Sequence, residues 1–272
     1  MAGRAGLRGR LRPDPEKLRT AGVGAASLAG LIVLWWLTAA FLLKGHGIPT
    51  PLAVVREFHD QGFGYYERIF AITLHEAAIG YLWGVGIALA LATVVLLVPW
   101  LEPVIMQFSV ITYCVPIVVL APILIICHEI PTVGGISQTA VDLAALLVVF
   151  TTVVGAVVGF QSADRTSLDV VRVYGGGSVQ QFFRVRVVSA LPAIFSTLQL
   201  AAPTAYLGAL LGEWFDRHLE VGVGPSLYLA QNNRETALAW TLGLSCALVS
   251  GLAYVLIGLI GRTVTPWAKG QP

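Results

Sequence analysis

The chain has 272 residues, of which 56% are hydrophobic and only 12% charged, with a formal net charge of +2. Soluble domains carry about twice that share of charge, so a water-facing fold around one core is excluded and lipid must be the solvent. Cys114, Cys127 and Cys246 sit inside or at the edge of apolar runs with no metal-ligand spacing, which argues against a disulfide framework or a metal site, and no nucleic-acid partner is expected.

In chain order, residues 1–20 form a basic tail holding Arg4, Arg8, Arg10, Arg12, Lys17 and Arg19. The apolar run behind it is longer than the core of a signal peptide, so it reads as a retained first span. Six runs are long enough to cross a bilayer as helices: 21–43, 71–98, 103–127, 134–160, 190–213 and 237–261. The expected fold is therefore an all-α integral membrane protein of about six transmembrane helices. Its membrane domain covers 21–265, and a short C-terminal tail covers 266–272. Between the first two spans, Ile48-Pro49-Thr50-Pro51 is a rigid lead-in. The stretch Leu52 to Phe63 then reads equally well as a short amphipathic surface helix or a simple connector.

Twelve of the 17 Lys and Arg residues fall on the side of the N-terminus when the six spans are threaded. The positive-inside rule then places both termini and the loop 161–189 in the cytoplasm. Within that loop, Arg165, Asp169 and Arg172 share one helical face as an alternating ion ladder. Leu168, Val171 and Tyr174 share another, apolar face. A helix this short is unstable alone and needs a surface to pack on. Gly175, Gly176 and Gly177 end it, and Ser178 is expected to cap a second helix running through Phe182 to Pro192. On spacing alone, a docking helix and an ordinary surface helix both remain open.

The loop also resembles the cytoplasmic signature of bacterial ABC-importer permeases: Glu-Ala-Ala, three residues, Gly, then a run ending in apolar-Pro. Asp169 takes the Glu position, Gly175 the Gly, Phe182 and Val185 the apolar positions, and Ala190-Leu191-Pro192 closes it. Valines replace the two alanines, and Val188 stands where many members have a first proline. Over roughly residues 47–265 the chain is similar to the branch that imports aliphatic sulfonates, taurine, nitrate and pyrimidine precursors. The shared features are the Ile48–Pro51 lead-in, Thr73-Leu74-His75-Glu76 followed by Gly80-Tyr81, the prolines Pro116 and Pro122, Val221-Gly222-Val223-Gly224, and Glu213. In two places it departs: Glu76 replaces an arginine, and Cys127-His128-Glu129 replaces Trp-Phe-Gly.

The resemblance implies a type I ABC-importer permease fold with a cytoplasmic coupling helix. It implies a bacterial plasma-membrane complex of two permease copies (or a paired permease), two ABC ATPase subunits and an extracytoplasmic solute-binding protein. ATP and Mg would be bound by the ATPase subunits. This chain lacks a Gly-x-x-x-x-Gly-Lys-Ser/Thr loop and is expected to be neither an enzyme nor a cofactor carrier. Arg165, Leu168, Asp169, Arg172, Tyr174, Gly175, Gly176, Ser178 and Phe182 would form the ATPase-coupling surface.

Charges inside a bilayer are costly enough to count as functional candidates. Asp142 reads as the one charge near mid-depth in the fourth span, while Glu76 and Glu213 read as outer-end groups. With the neutral donors Gln107, Tyr113, Gln199, Thr204 and Tyr206 they make up the candidate translocation path. That lining suits a neutral or cationic heterocycle at least as well as an anion. The competing function is an ion-coupled secondary carrier that uses Asp142 and Glu76 as proton sites, although a lone carrier has no reason to keep the Asp169 loop.

Overall fold

A computed structural model describes residues 15–42, 47–132 and 134–270. Arg4, Arg8, Arg10 and Arg12 of the basic tail, Lys44 and the last two residues lie outside the described residues. Helix α1 runs Pro15–Leu37 and widens into a π turn, Thr38–Leu42. The last six residues of the expected tail, 15–20, are thus already helical. Helix α2, Pro51–Gln61, settles the stretch after the lead-in as a helix: Pro51 occupies the first turn, and the Thr50 side chain accepts from Ala53 N at 3.3 Å.

Helix α3 spans Phe63–Leu97, 35 residues. At 1.5 Å per residue it is about 52 Å long, well over the roughly 30 Å of hydrocarbon. The helix is therefore longer than a bilayer core requires, and the stacking of Phe58 on Tyr66 at 4.4 Å braces its start against α2. The expected start at 71 was late because polar residues at 64–68 hid this extension.

The expected straight span 103–127 is corrected. Helix α4 (Glu102–Cys114) and helix α5 (Ile117–Cys127) meet at a 93° bend. Pro116 has no N–H to donate and forces Val115 into extended backbone, φ −70° and ψ 124°. Among the described residues, five helices are long and apolar enough to cross a membrane, or six if the bent pair counts as one span.

Helix α6 (Gln138–Gln161) is the centre of the bundle. It packs most extensively against α3 and against α9, Val187–Phe215. Small residues let these backbones approach. A Cβ on Gly80 would lie 2.5 Å from the Ala144 Cβ, and one on Gly208 would lie 2.6 Å from the Ala144 Cα. This is the close-contact packing of membrane helices, where lipid is as apolar as leucine and van der Waals fit carries the association.

Between α6 and α9 come α7 (Arg165–Val173), the short α8 (Ser178–Gln181) and a π turn, Phe182–Arg186. Beyond α9 follow α10 (Val223–Asn232) and the last long helix, α11 (Thr236–Val264), which packs on α9 and α2. Gln161 Nε2 donates to Glu102 Oε2 at 3.0 Å, tying the end of α6 to the start of α4. One end of the bundle therefore holds α7 and α8. The opposite end gathers the starts of α3, α6 and α11, the end of α9, and α10.

Candidate coupling helix and buried carboxylate node

Nine residues are too few to hold a helix in water, so the ends of α7 matter. At the start, the Asp164 side chain accepts from Ser167 N at 3.2 Å. At the finish, Gly176 N donates to Val171 O at 2.8 Å and Gly175 N donates to Arg172 O at 3.0 Å. That pair of bonds is a Schellman motif, and it requires the φ of +79° that Gly175 adopts. Leu168 and Val171 are half-buried. Val173 and Tyr174 are 82% and 87% exposed, an apolar tip facing away from the bundle.

Two details of this loop differ from the sequence expectation. Arg165, Asp169 and Arg172 are all exposed, and no ion pair within 4 Å joins them among the described residues. A solvated ladder is worth only a few tenths of a kcal/mol, too little to fix three long side chains. Ser178 is the first helical residue rather than the cap, which is Gly177. Phe182 turns inward, its ring 5.7 Å from that of Phe160, and so roots α8 in the bundle.

At the opposite end lies a buried carboxylate node. Glu76 of α3 is 0% exposed and Glu213 of α9 is 1% exposed. Glu76 Oε1 accepts from Ser137 N at 2.6 Å, at the start of α6. Glu213 Oε2 accepts from Gly224 N at 2.7 Å, at the start of α10, and Oε1 accepts from the Thr73 hydroxyl at 2.7 Å. Each carboxylate thus serves a helix N-terminus, where unpaired N–H groups and the helix dipole favour negative charge. The other oxygen of Glu76, Oε2, is buried and has no hydrogen-bond partner among the described residues. Asp216, which the sequence pattern did not single out, joins the two glutamates. Its Oδ2 lies 3.4 Å from the Ser137 hydroxyl, and its Oδ1 accepts from His218 N at 3.1 Å.

The other path candidates scatter. Asp142 is one turn into α6, near the start of that helix rather than at its middle, because the helix starts at Gln138 and not at 134. His128 Nε2 lies 2.8 Å from Asp142 Oδ2, and Gln138 Nε2 donates to Oδ1 at 2.9 Å. Tyr206 is buried and donates to Cys246 Sγ at 3.4 Å. Gln199 packs against Gly258 of α11, and Thr204 bonds its own helix at Ala201 O, 2.8 Å away. Gln107 is exposed on α4. Tyr113 stacks on Phe150 at 4.4 Å and lines a cavity of about 280 Å³ at the α4–α5 bend. No group of three or more His, Cys, Asp or Glu side chains is placed to hold a metal among the described residues.

A membrane bundle with a rigidly capped helix projecting from one end has counterparts among known proteins. Residues 81–269 match the family of binding-protein-dependent transport system inner membrane components. The chain belongs to that family. It is accordingly a multi-pass inner-membrane transport subunit, not an enzyme. The chain is 24% identical over 241 residues to the formylaminopyrimidine transport permease protein ThiX of Halalkalibacterium halodurans, covering 89% of this chain and 94% of that protein. It is 25% identical over 235 residues to the nitrate import permease protein NrtB of Leptolyngbya laminosa, covering 79% and 78%. A riboflavin transport system permease protein, RibX of Chloroflexus aurantiacus, is 26% identical over 168 residues, covering 62% of this chain and 60% of that protein. The fold is that of the MetNI methionine ABC transporter in its inward-facing form, with a TM-score of 0.58 at 16% identity over 79% of this chain and 97% of that one.

Proposed function

We propose that this ABC importer permease couples ATP hydrolysis in separate ATPase subunits to inward passage of a small nitrogen heterocycle. The observation that carries the coupling role is α7. Its capped ends hold an exposed apolar tip, Val173 and Tyr174, which gives an ATPase groove a preformed helix to grip. Arg165, Asp169 and Arg172 would frame that contact, with Gly175 and Gly176 fixing its angle. The loop 161–189 and both termini would face the cytoplasm, as the Lys and Arg distribution requires. The working unit would be two permease copies, two ATPases that bind ATP and Mg, and an extracytoplasmic solute-binding protein. Val104, Phe108, Ile111, Val118 and Ile123 stand exposed along the bent pair, and a second copy of this chain would cover them.

The substrate class draws on two relatives named for heterocycle transport, a formylaminopyrimidine and riboflavin. The charge pattern that first suggested it is weaker support. Glu76 is engaged with Ser137 N, and Asp142 with His128 and Gln138. The same engagement counts against a lone carrier that uses these two carboxylates as free proton sites.

Co-purification with the ATPase and binding protein, followed by solute-stimulated ATP hydrolysis in liposomes, tests the reading. Stimulation by an aminopyrimidine that is lost in Tyr174→Ala is expected. ATPase association unaffected by Tyr174→Ala would remove the coupling role of α7. Stimulation by nitrate or taurine alone would remove the heterocycle.

A further inference from the structure

An open cavity lies at the end opposite α7. It measures about 600 Å³ and is walled by the start of α3, the end of α9, the 216–222 turn, α10 and the start of α11. That volume falls within the usual range of small-molecule sites. Its walls are aromatic: Tyr65, Trp214 and Tyr228 all line it. Trp214 and Tyr228 meet edge to face at 5.8 Å. The Arg217 guanidinium lies over the Tyr228 ring, 3.3 Å from its centroid, which is cation–π geometry. Arg68 adds a second guanidinium, and Glu220 and Glu235 add carboxylates.

Carboxylates outnumber cations in this lining: Glu213, Asp216, Glu220 and Glu235 against Arg68 and Arg217. Flat aromatic faces with both donors and an excess of carboxylate acceptors around them match a flat ring, neutral or cationic, that carries amino and carbonyl or ring-nitrogen groups. They do not match a sulfonate or nitrate, which would leave the carboxylates opposing it. Aromatic faces hold such a ring by stacking at small entropy cost, and polar groups at the edge select it.

The floor of the cavity is Glu213, so the cavity meets the buried node. Glu213 holds the start of α10 through Gly224 N and reaches α3 through Thr73, and Glu76 beside it holds the start of α6. Helix α6 runs the depth of the bundle and leads directly into α7. A ligand seated on this floor would press on the joint that sets three helix ends.

We propose that this cavity is a receiving site for a planar nitrogen heterocycle, neutral or cationic, bound against the wall formed by Trp214, Tyr228 and Arg217 with Glu235 at its edge. The proposal rests on the heterocycle reading of the cargo. It adds that the permease itself holds the solute outside the span of the bilayer.

The test uses the full chain in nanodiscs without a binding protein. Binding of 4-aminopyrimidine and of riboflavin is measured by equilibrium dialysis, with taurine as a non-planar control. Saturable binding of either ring compound, reduced at least tenfold in Tyr228→Ala and in Arg217→Gln and kept in Tyr228→Phe, is expected. Arg217 is exposed, so its replacement tests the site even if the Tyr228→Ala chain misfolds. Three results overturn the proposal: no saturable binding of either ring compound, equal binding of taurine, or binding unchanged in both variants. Variants that weaken only the docking of the binding protein, in a chain that binds no solute, would make the cavity a protein contact and overturn it too. Solute-stimulated ATP hydrolysis by the whole complex is read separately. If that stimulation survives while the cavity binds nothing, the importer reading stands and only the receiving site falls.

Discussion

Thr73 and Glu213, 140 positions apart in sequence, share a 2.7 Å hydrogen bond in the interior of the bundle. The same Thr73 hydroxyl accepts from Val223 N at 3.1 Å. One side chain thus links α3, the end of α9 and the start of α10. Thr73→Val keeps the shape and removes both bonds, leaving a buried carboxylate oxygen and a buried N–H each short of a partner. Each such loss costs about 1–3 kcal/mol, so a clear fall in the thermal midpoint of the purified chain is expected. An unchanged midpoint would mean that α10 is held by its apolar contacts alone.

Glu76 supports α6 in the same way, and its replacement separates charge from hydrogen bonding. Glu76→Gln keeps the shape of the side chain and retains an oxygen for Ser137 N, so stability close to wild type is expected. Glu76→Ala opens a cavity and strips Ser137 N of its acceptor, so a loss of about 2–4 kcal/mol is expected from cavity and hydrogen-bond terms together. Equal behaviour of the two variants in chemical unfolding would show that the node is not held by these bonds.

Gly175 tests the coupling helix through the backbone. Its φ of +79° is open to glycine and strained for a β-branched residue. Nothing lies within 4 Å of the place its Cβ would occupy, so Gly175→Val carries no steric penalty against the rest of the protein. The helix end alone is disturbed, at a cost of roughly 1–2 kcal/mol. Normal membrane insertion with solute-stimulated ATPase lowered several-fold is expected. Full stimulation would show that the Schellman turn does not set the docking angle.

The coupling loop was legible from sequence because its end is written in local chemistry: a glycine just past an amphipathic stretch predicts the left-handed residue that Gly175 proves to be. The bent pair was not legible. Hydropathy reads 103–127 as one apolar run, and only backbone geometry at Val115-Pro116 tells a straight span from a 93° bend. Asp142 was misplaced along its helix by counting from the start of the apolar run rather than from the first helical residue. The carboxylate node escaped for a different reason. Glu76, Glu213 and Asp216 are individually ordinary outer-end charges, and what makes them a unit is contact between residues more than a hundred positions apart. Spacing along the chain carries no trace of that.

The packing of α9 on α6 gives the last prediction. A Cβ at Gly212 would meet the Ala140 backbone, and one at Gly208 would stand 2.6 Å from the Ala144 Cα. Backbone atoms cannot rotate aside as a long side chain can, so the helices must separate to admit any larger residue. Overpacking of this kind costs about 1–3 kcal/mol. At Gly212 the displacement would also carry Glu213, the next residue, away from Thr73 and Gly224. Gly212→Val should therefore cost more than Gly208→Val, although both meet the same partner helix. Gly251 of α11, with nothing within 4 Å of its Cβ position, is the matched control, and Gly251→Val should cost little. Thermal unfolding of the three variants in one detergent gives the order. If Gly208→Val and Gly212→Val were as stable as Gly251→Val, α6 and α9 would not be in direct backbone contact, and the glycine-lined core would not hold the node in place.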